Sequence, residues 1–82
     1  MKTIVFSNRA AREFDALPVL VRRTVSDALD AYAIHGRGDV KALQGRDGFR
    51  LRVGRWRVIF AEDAVTVLAL TIGKRETTTY RR

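Results

Sequence analysis

From Phe49 to Phe60, apolar and basic residues alternate on both sides of a Gly54-Arg55 pair. Alternation with a period of two marks a strand with one apolar and one charged face, so this stretch predicts two strands joined by a hairpin. A short loop with glycine first suits a type II′ turn, and that loop length sets the register. Val53 then lies opposite Trp56, Arg52 opposite Arg57, Leu51 opposite Val58, and Arg50 opposite Ile59. Arg50, Arg52 and Arg57 share one face. Phe49, Leu51, Val53, Trp56, Val58 and Phe60 share the other, which is the face the sheet has reason to bury.

The pattern before the hairpin changes period. Lys2 to Phe6 is a short β-type run ending at Ser7, a residue suited to cap the helix that follows. Ala10, Phe14 and Leu17 fall on one stripe of that helix, and Pro18 ends it and can serve as the first residue of the next. From Val19 to about Ile34, Val21, Val25, Ala28, Leu29 and Tyr32 recur at helical spacing, so this is an amphipathic helix to be laid on a sheet. His35 to Gly38 closes it, with glycine supplying a left-handed cap. Asp39 to Gly48 reads as a loop anchored by Leu43 and broken at Gly45 and Gly48.

After the hairpin, Glu62-Asp63 reads as a second turn and Val65 to Ile72 as an almost wholly apolar strand, which predicts a central position covered on both sides. A two-residue loop would put Leu68 and Leu70 on the arginine face. Either that face is partly covered or the loop has another length. Gly73 to Tyr80 reads as a polar exit and Arg81-Arg82 as a tail. The order β-α-α-β-β-β predicts an α+β fold, a mainly antiparallel sheet with two N-terminal helices packed on one face.

Charge adds a partner to this picture. The 82 residues carry a net charge of +7 and a pI near 11.1, and the cations are mostly arginine. Arginine is suited to bidentate phosphate contact and to stacking on bases, so the bias favours nucleic acid. Residues 42–82 hold more of the excess positive charge than residues 1–41. Like charges directly opposite on a sheet are destabilising. Arg52 across from Arg57, with Arg50 beside them, therefore has two readings: an anion-binding face, or a solvated basic face that protects the strands.

Composition also excludes. No cysteine is present, which removes disulfide frameworks and thiolate metal sites and suggests the cytoplasm. Neither a signal-peptide pattern nor an apolar run of about 18 residues appears, so no membrane role is expected. The length suits one domain over residues 1–82. His35 lacks a second histidine for acid/base work, and Asp39, Asp47, Glu62 and Asp63 lie in or beside turns without metal-ligand spacing.

The strand exit holds Gly73-Lys74-Arg75-Glu76, and Tyr80 follows closely. With the Leu17-Pro18 break, the Leu43 to Gly48 approach and the Phe49–Phe60 hairpin, the chain resembles the RelE/ParE superfamily of toxin-antitoxin toxins, and most closely the RelE-like mRNA endonucleases. The resemblance spans nearly the whole chain. It implies a metal-independent and cofactor-free endoribonuclease that cuts ribosome-bound mRNA in the decoding site of the small ribosomal subunit. There a ribose 2′-OH attacks the adjacent phosphate, and a cognate antitoxin protein holds the toxin inactive. It implies Arg50, Arg52, Arg57, Arg75 and Tyr80 as the catalytic residues. The best-studied relatives carry lysines at the positions of Arg50 and Arg52, and arginine, with a pKa above roughly 12, is a poor proton acceptor. The general base is thus unassigned here. Glu76 is the nearest carboxylate in sequence, and its ordinary role is to pair with a neighbouring arginine.

Two other functions fit the same fold. One is a ParE-like poison of DNA gyrase without chemistry of its own, and the other is a decoding-site RNA binder that does not cut. Relatives directed at gyrase generally lack the full set of Arg50, Arg52, Arg57, Arg75 and Tyr80, which separates the first of these from the nuclease.

Overall fold

A computed structural model describes residues 1–74. The expectations placed on Arg75, Glu76, Tyr80 and the Arg81-Arg82 tail lie outside the described residues. In chain order the elements are β1 (Thr3–Phe6), α1 (Asn8–Asp15), α2 (Val19–His35), β2 (Asp39–Ala42), β3 (Phe49–Val53), β4 (Trp56–Glu62) and β5 (Thr66–Lys74). The strands form one sheet in the order β1-β5-β4-β3-β2, with β1 parallel to β5 and every other pair antiparallel. The fold is α+β, with two helices on a five-stranded, mostly antiparallel sheet.

The hairpin has the register that alternation predicts, from Phe49 opposite Phe60 to Val53 opposite Trp56. Gly54 takes φ +60° and no non-glycine residue among those described has positive φ, which fits a type II′ turn and excludes type I′. Leu51, Val58 and Phe60 are fully buried and join Val53, Val67, Ala69 and Ile72 from the sheet with Ala10, Val25 and Leu29 from the helices and Leu17 from the turn between them. Those residues all lie on the face opposite the arginines, so both helices cover one side and leave the other open. Burying each large side chain contributes about 1.5–3 kcal/mol, and this face holds the layers together.

The helices begin and end as their residues direct. Ser7 Oγ accepts from Ala10 N–H at 3.0 Å, capping α1. Pro18 stands one place earlier than expected, as the cap residue of α2 and not its first turn. Gly36 closes α2 at φ +70°, donating to Tyr32 O at 2.9 Å.

Two expectations are corrected. Residues Asp39–Ala42 are not loop but an edge strand, paired with β3 so that Asp39 lies opposite Arg52 and Val40 opposite Leu51. The apolar strand β5 is interior to the sheet, yet helices cover only one of its faces. Its loop from β4 is longer than two residues, because Glu62 pairs with Val67, and Leu68 lies on the open face opposite Ala61. A bulge follows: Phe60 pairs with Ala69 and Ile59 with Thr71, so Leu70 is the extra residue and stays 37% exposed.

The same bulge is where β1 ends and α1 takes over the free edge of β5. Ser7 N–H donates to Ala69 O at 2.9 Å, and Ser7 Oγ donates to Leu70 O at 2.9 Å. Two helical turns on, Glu13 Oε1 accepts from Thr71 Oγ1 at 2.9 Å and from Ile72 N–H at 2.8 Å. Helix α1 thus satisfies backbone groups that a bare edge would leave unpaired.

Candidate nucleic-acid interface

The open face of the sheet is cationic at its β2–β3–β4 side. Arg50 lies opposite Ile59 and Lys41, and Arg52 opposite Arg57 and Asp39. Strand β2, unrecognised in the sequence, changes the charge arithmetic: Asp39 Oδ2 lies 3.7 Å from Arg52 Nη1. One carboxylate therefore stands on the arginine face, and it partly offsets the repulsion between Arg52 and Arg57. Both members of that pair are well exposed, so its net contribution is about 0–1 kcal/mol.

Arg50 and Arg57 converge differently. They line a groove of about 340 Å³ together with Arg46 from the β2–β3 loop and Lys74 from the end of β5. Leu43, Ile59 and Thr71 line the same groove, and no carboxylate does among the described residues. Arg50 and Arg57 are half-buried, and the Nε of Arg50 is buried without a hydrogen-bond partner among the described residues. A buried charged donor without a partner is costly, and a bound anion would satisfy it.

The groove owes its shape to a closed loop. Leu43 N–H donates to Gly48 O at 3.0 Å, joining the ends of the turn between β2 and β3. Gly48 has φ +117°, and a Cβ there would approach Leu43 Cδ1 to 3.1 Å and Phe60 O to 3.3 Å, so glycine is needed for Leu43 to pack where it does. Leu43 is half-buried beside Gly48 and not part of the core expected of an apolar anchor, and Arg46 lies within the loop so closed, lining the same groove as Arg50.

Of the sequence-predicted site residues, the structure brings Arg50 and Arg57 into one groove and places Arg52 beside it, paired with Asp39. Arg75 and Tyr80 lie outside the described residues. Arg46 was not singled out from the sequence, because a loop arginine between two glycines looks like solvent-facing charge. The closure of the loop by Leu43 and Gly48 is the signal that would have found it.

The other charged groups hold the framework. Glu62 accepts from Lys2 Nζ at 2.7 Å and from Tyr32 Oη at 2.8 Å, joining the N-terminus, α2 and β4. Burial alone would raise the Glu62 pKa, but those two bonds and the Lys2 charge bring it below the ordinary carboxylate value. Tyr32 is pushed up to about 12, by burial first and then by its bond to Glu62. Asp63 turns the β4–β5 loop by accepting from Val65 and Thr66 N–H, and both bonds lower its pKa. Lys74 Nζ lies 5.7 Å from the Trp56 ring centroid, a cation–π contact at the end of the sheet. No cluster of potential metal ligands occurs among the described residues, and none of their helices is long and apolar enough to cross a membrane.

Scans against protein-family models and curated proteins find no match. Solved structures do match. The chain is similar to the RelE-RelB complex of the archaeon Pyrococcus horikoshii OT3, with 20% identity, TM-score 0.76, and coverage of 90% of this chain and 94% of that one. It is similar to the Escherichia coli RelBE toxin-antitoxin complex, with 22% identity, TM-score 0.72, and coverage of 94% and 100%. A YoeB dimer from Staphylococcus aureus matches with 16% identity, TM-score 0.71, and coverage of 93% and 98%. The fold is that of the RelE-like toxins.

Proposed function

We propose that this chain is the toxin of a type II toxin-antitoxin pair and that it cuts messenger RNA on the ribosome. The observation that carries the reading is the groove in which Arg46, Arg50 and Arg57 meet without a carboxylate among the described residues, on an open sheet face of a RelE-like fold, with Lys74 at its margin and its ammonium over Trp56. Guanidinium groups fixed on paired strands are preorganised to stabilise charge that develops on a phosphate. Arg50, whose Nε has no partner within the described fold, is the cation with most to gain from an anion.

The reaction is an in-line displacement within RNA. The ribose 2′-hydroxyl loses its proton as its oxygen bonds to the adjacent phosphorus, the bond to the 5′-oxygen of the next nucleotide breaks and that oxygen gains a proton to leave as a hydroxyl, and a 2′,3′-cyclic phosphate results. Arg50 and Arg57 hold the phosphate oxygens as negative charge grows on them. They act on charge and not as bases, since arginine keeps its proton at neutral pH. Arg52 orients the strand from beside the groove, and Arg75 and Tyr80 complete the set, the tyrosine stacking on a base. Because the target is the ribosome, the protein works in the cytoplasm. A dense cationic groove also favours a nucleic-acid substrate over a protein target such as gyrase.

The partner that restrains such a toxin is a cognate antitoxin, and several similar structures are toxin-antitoxin complexes. An acidic, amphipathic segment of that partner would neutralise the arginines and exclude RNA. The test is to add the purified protein to programmed ribosomes and map messenger ends, with gyrase supercoiling assayed in parallel. Cleavage at codons in the decoding site with unchanged supercoiling supports the proposal. Inhibited supercoiling with intact messenger contradicts it.

A further inference from the structure

The groove is not uniformly polar. Beside its cations, Leu43 and Ile59 present aliphatic side chains that are only partly covered, and they do so in the same concavity as Arg50 and Arg57. An anion alone does not need that surface. A purely electrostatic phosphate track would be lined by cations and water-facing polar groups, whereas exposed aliphatic carbon gains only by covering another apolar surface.

The spacing suits one ligand that carries both properties. Ile59 is the direct cross-strand neighbour of Arg50. Such neighbours lie about 5 Å apart at Cβ, the scale on which a nucleotide separates its phosphate from its base. Leu43 is held in place by its bond to Gly48 and by the absence of a side chain there, so the aliphatic wall is fixed before a ligand arrives. The volume of about 340 Å³ lies at the lower end of the range for small-molecule sites, which fits a single nucleotide better than a longer segment.

We infer that this groove is a one-nucleotide seat in which Arg50 and Arg57 take the phosphate while Leu43 and Ile59 pack against the face of its base. This rests on the RNA-directed reading of the groove and adds to it a contact with the base. Leu43 and Ile59 are then specificity-determining residues. A flat aliphatic floor accepts any base by its face and favours larger ones by contact area, so purines should bind more tightly than pyrimidines.

The experiment titrates the full chain, with isotope-labelled Leu and Ile methyls, against adenosine 5′-monophosphate and against ribose 5-phosphate. The two ligands share a phosphate and a sugar and differ in the base. The nucleotide should bind at least about fivefold more tightly and shift the Leu43 and Ile59 methyl signals, a gain expected from covering part of two aliphatic side chains. Leu43→Ala should bring the ratio close to one and leave ribose 5-phosphate binding unchanged. Ile59→Ser, on the open face of β4 and outside the Leu43–Gly48 loop, should do the same whether or not that loop rearranges in Leu43→Ala, and Arg50→Ala should weaken both ligands together. Equal affinities in the parent chain, or an unchanged ratio in folded Leu43→Ala and Ile59→Ser, would overturn the inference. Messenger cleavage on ribosomes is read separately. Discrimination without cleavage removes the nuclease and keeps the seat, and cleavage without discrimination removes the seat and keeps the nuclease.

Discussion

Asp39 faces Arg52 across the β2–β3 pair, its Oδ2 3.7 Å from Arg52 Nη1, while Arg57 faces Arg52 from the other side. One arginine is therefore shared between an attractive and a repulsive neighbour. Under the proposed function, the carboxylate competes with RNA for Arg52. Asp39→Asn should tighten binding of a short oligoribonucleotide by about two- to threefold at low salt, and added salt should erase the gain. Fluorescence anisotropy across a salt series measures this. Unchanged affinity at low salt would take Arg52 off the RNA-binding face.

A second prediction concerns the edge of β5. Glu13 accepts from Ile72 N–H and Thr71 Oγ1, and burial is outweighed by these bonds and by Arg9, so its pKa is held below the ordinary value. Glu13→Ala leaves a partly buried amide without its acceptor. The expected cost is about 1–3 kcal/mol. Thermal melting should show the loss, and hydrogen exchange should speed up at Ile72 while the amides of β3 keep their protection. Uniform acceleration at every strand would mean that Glu13 is not a local edge clamp.

The Glu62 cluster predicts how stability varies with pH. Its folded pKa is lower than the unfolded one, so its contribution is present above the ordinary carboxylate range, near 4.3, and is lost as pH falls through the depressed value. Tyr32 shifts the other way. Its contribution is complete below 10.0 and is lost as pH rises toward about 12. Melting temperature should form a plateau between these limits. Glu62→Gln should lower the plateau and soften both flanks, with burial still holding part of the Tyr32 shift. A parent curve that keeps its plateau stability at pH 2 would contradict this account of the cluster.

Much of the fold is legible because its signals are local. Alternation on both sides of Gly54-Arg55 specifies the hairpin, its register and the arginine face, and Ser7 and Gly36 mark helix ends through their own chemistry. Strand β2 is not legible in the same way. Asp39 to Ala42 offers only Val40 as a half-buried apolar residue, with Ala42 of the same parity left exposed, between glycine-rich flanks, and what makes it a strand is pairing with β3. Missing it hid Asp39 from the arginine face. The bulge at Leu70 likewise depends on α1 replacing β1 along β5, a tertiary event that no pattern within β5 announces. At the site, Arg50 and Arg57 follow from parity alone, whereas Arg46 depends on how the Leu43–Gly48 loop closes.

The central claim is that the groove cations stabilise a transition state on ribosome-bound messenger RNA. Its most direct measurement is single-turnover cleavage on programmed ribosomes by the parent chain, Arg50→Ala and Arg57→Ala, with circular dichroism on each. The expected result is cleavage by the parent that leaves a 2′,3′-cyclic phosphate, and a rate lower by ~10² or more in either variant with the fold retained. Intact messenger after incubation with the parent chain, or undiminished cleavage by both folded variants, would contradict it.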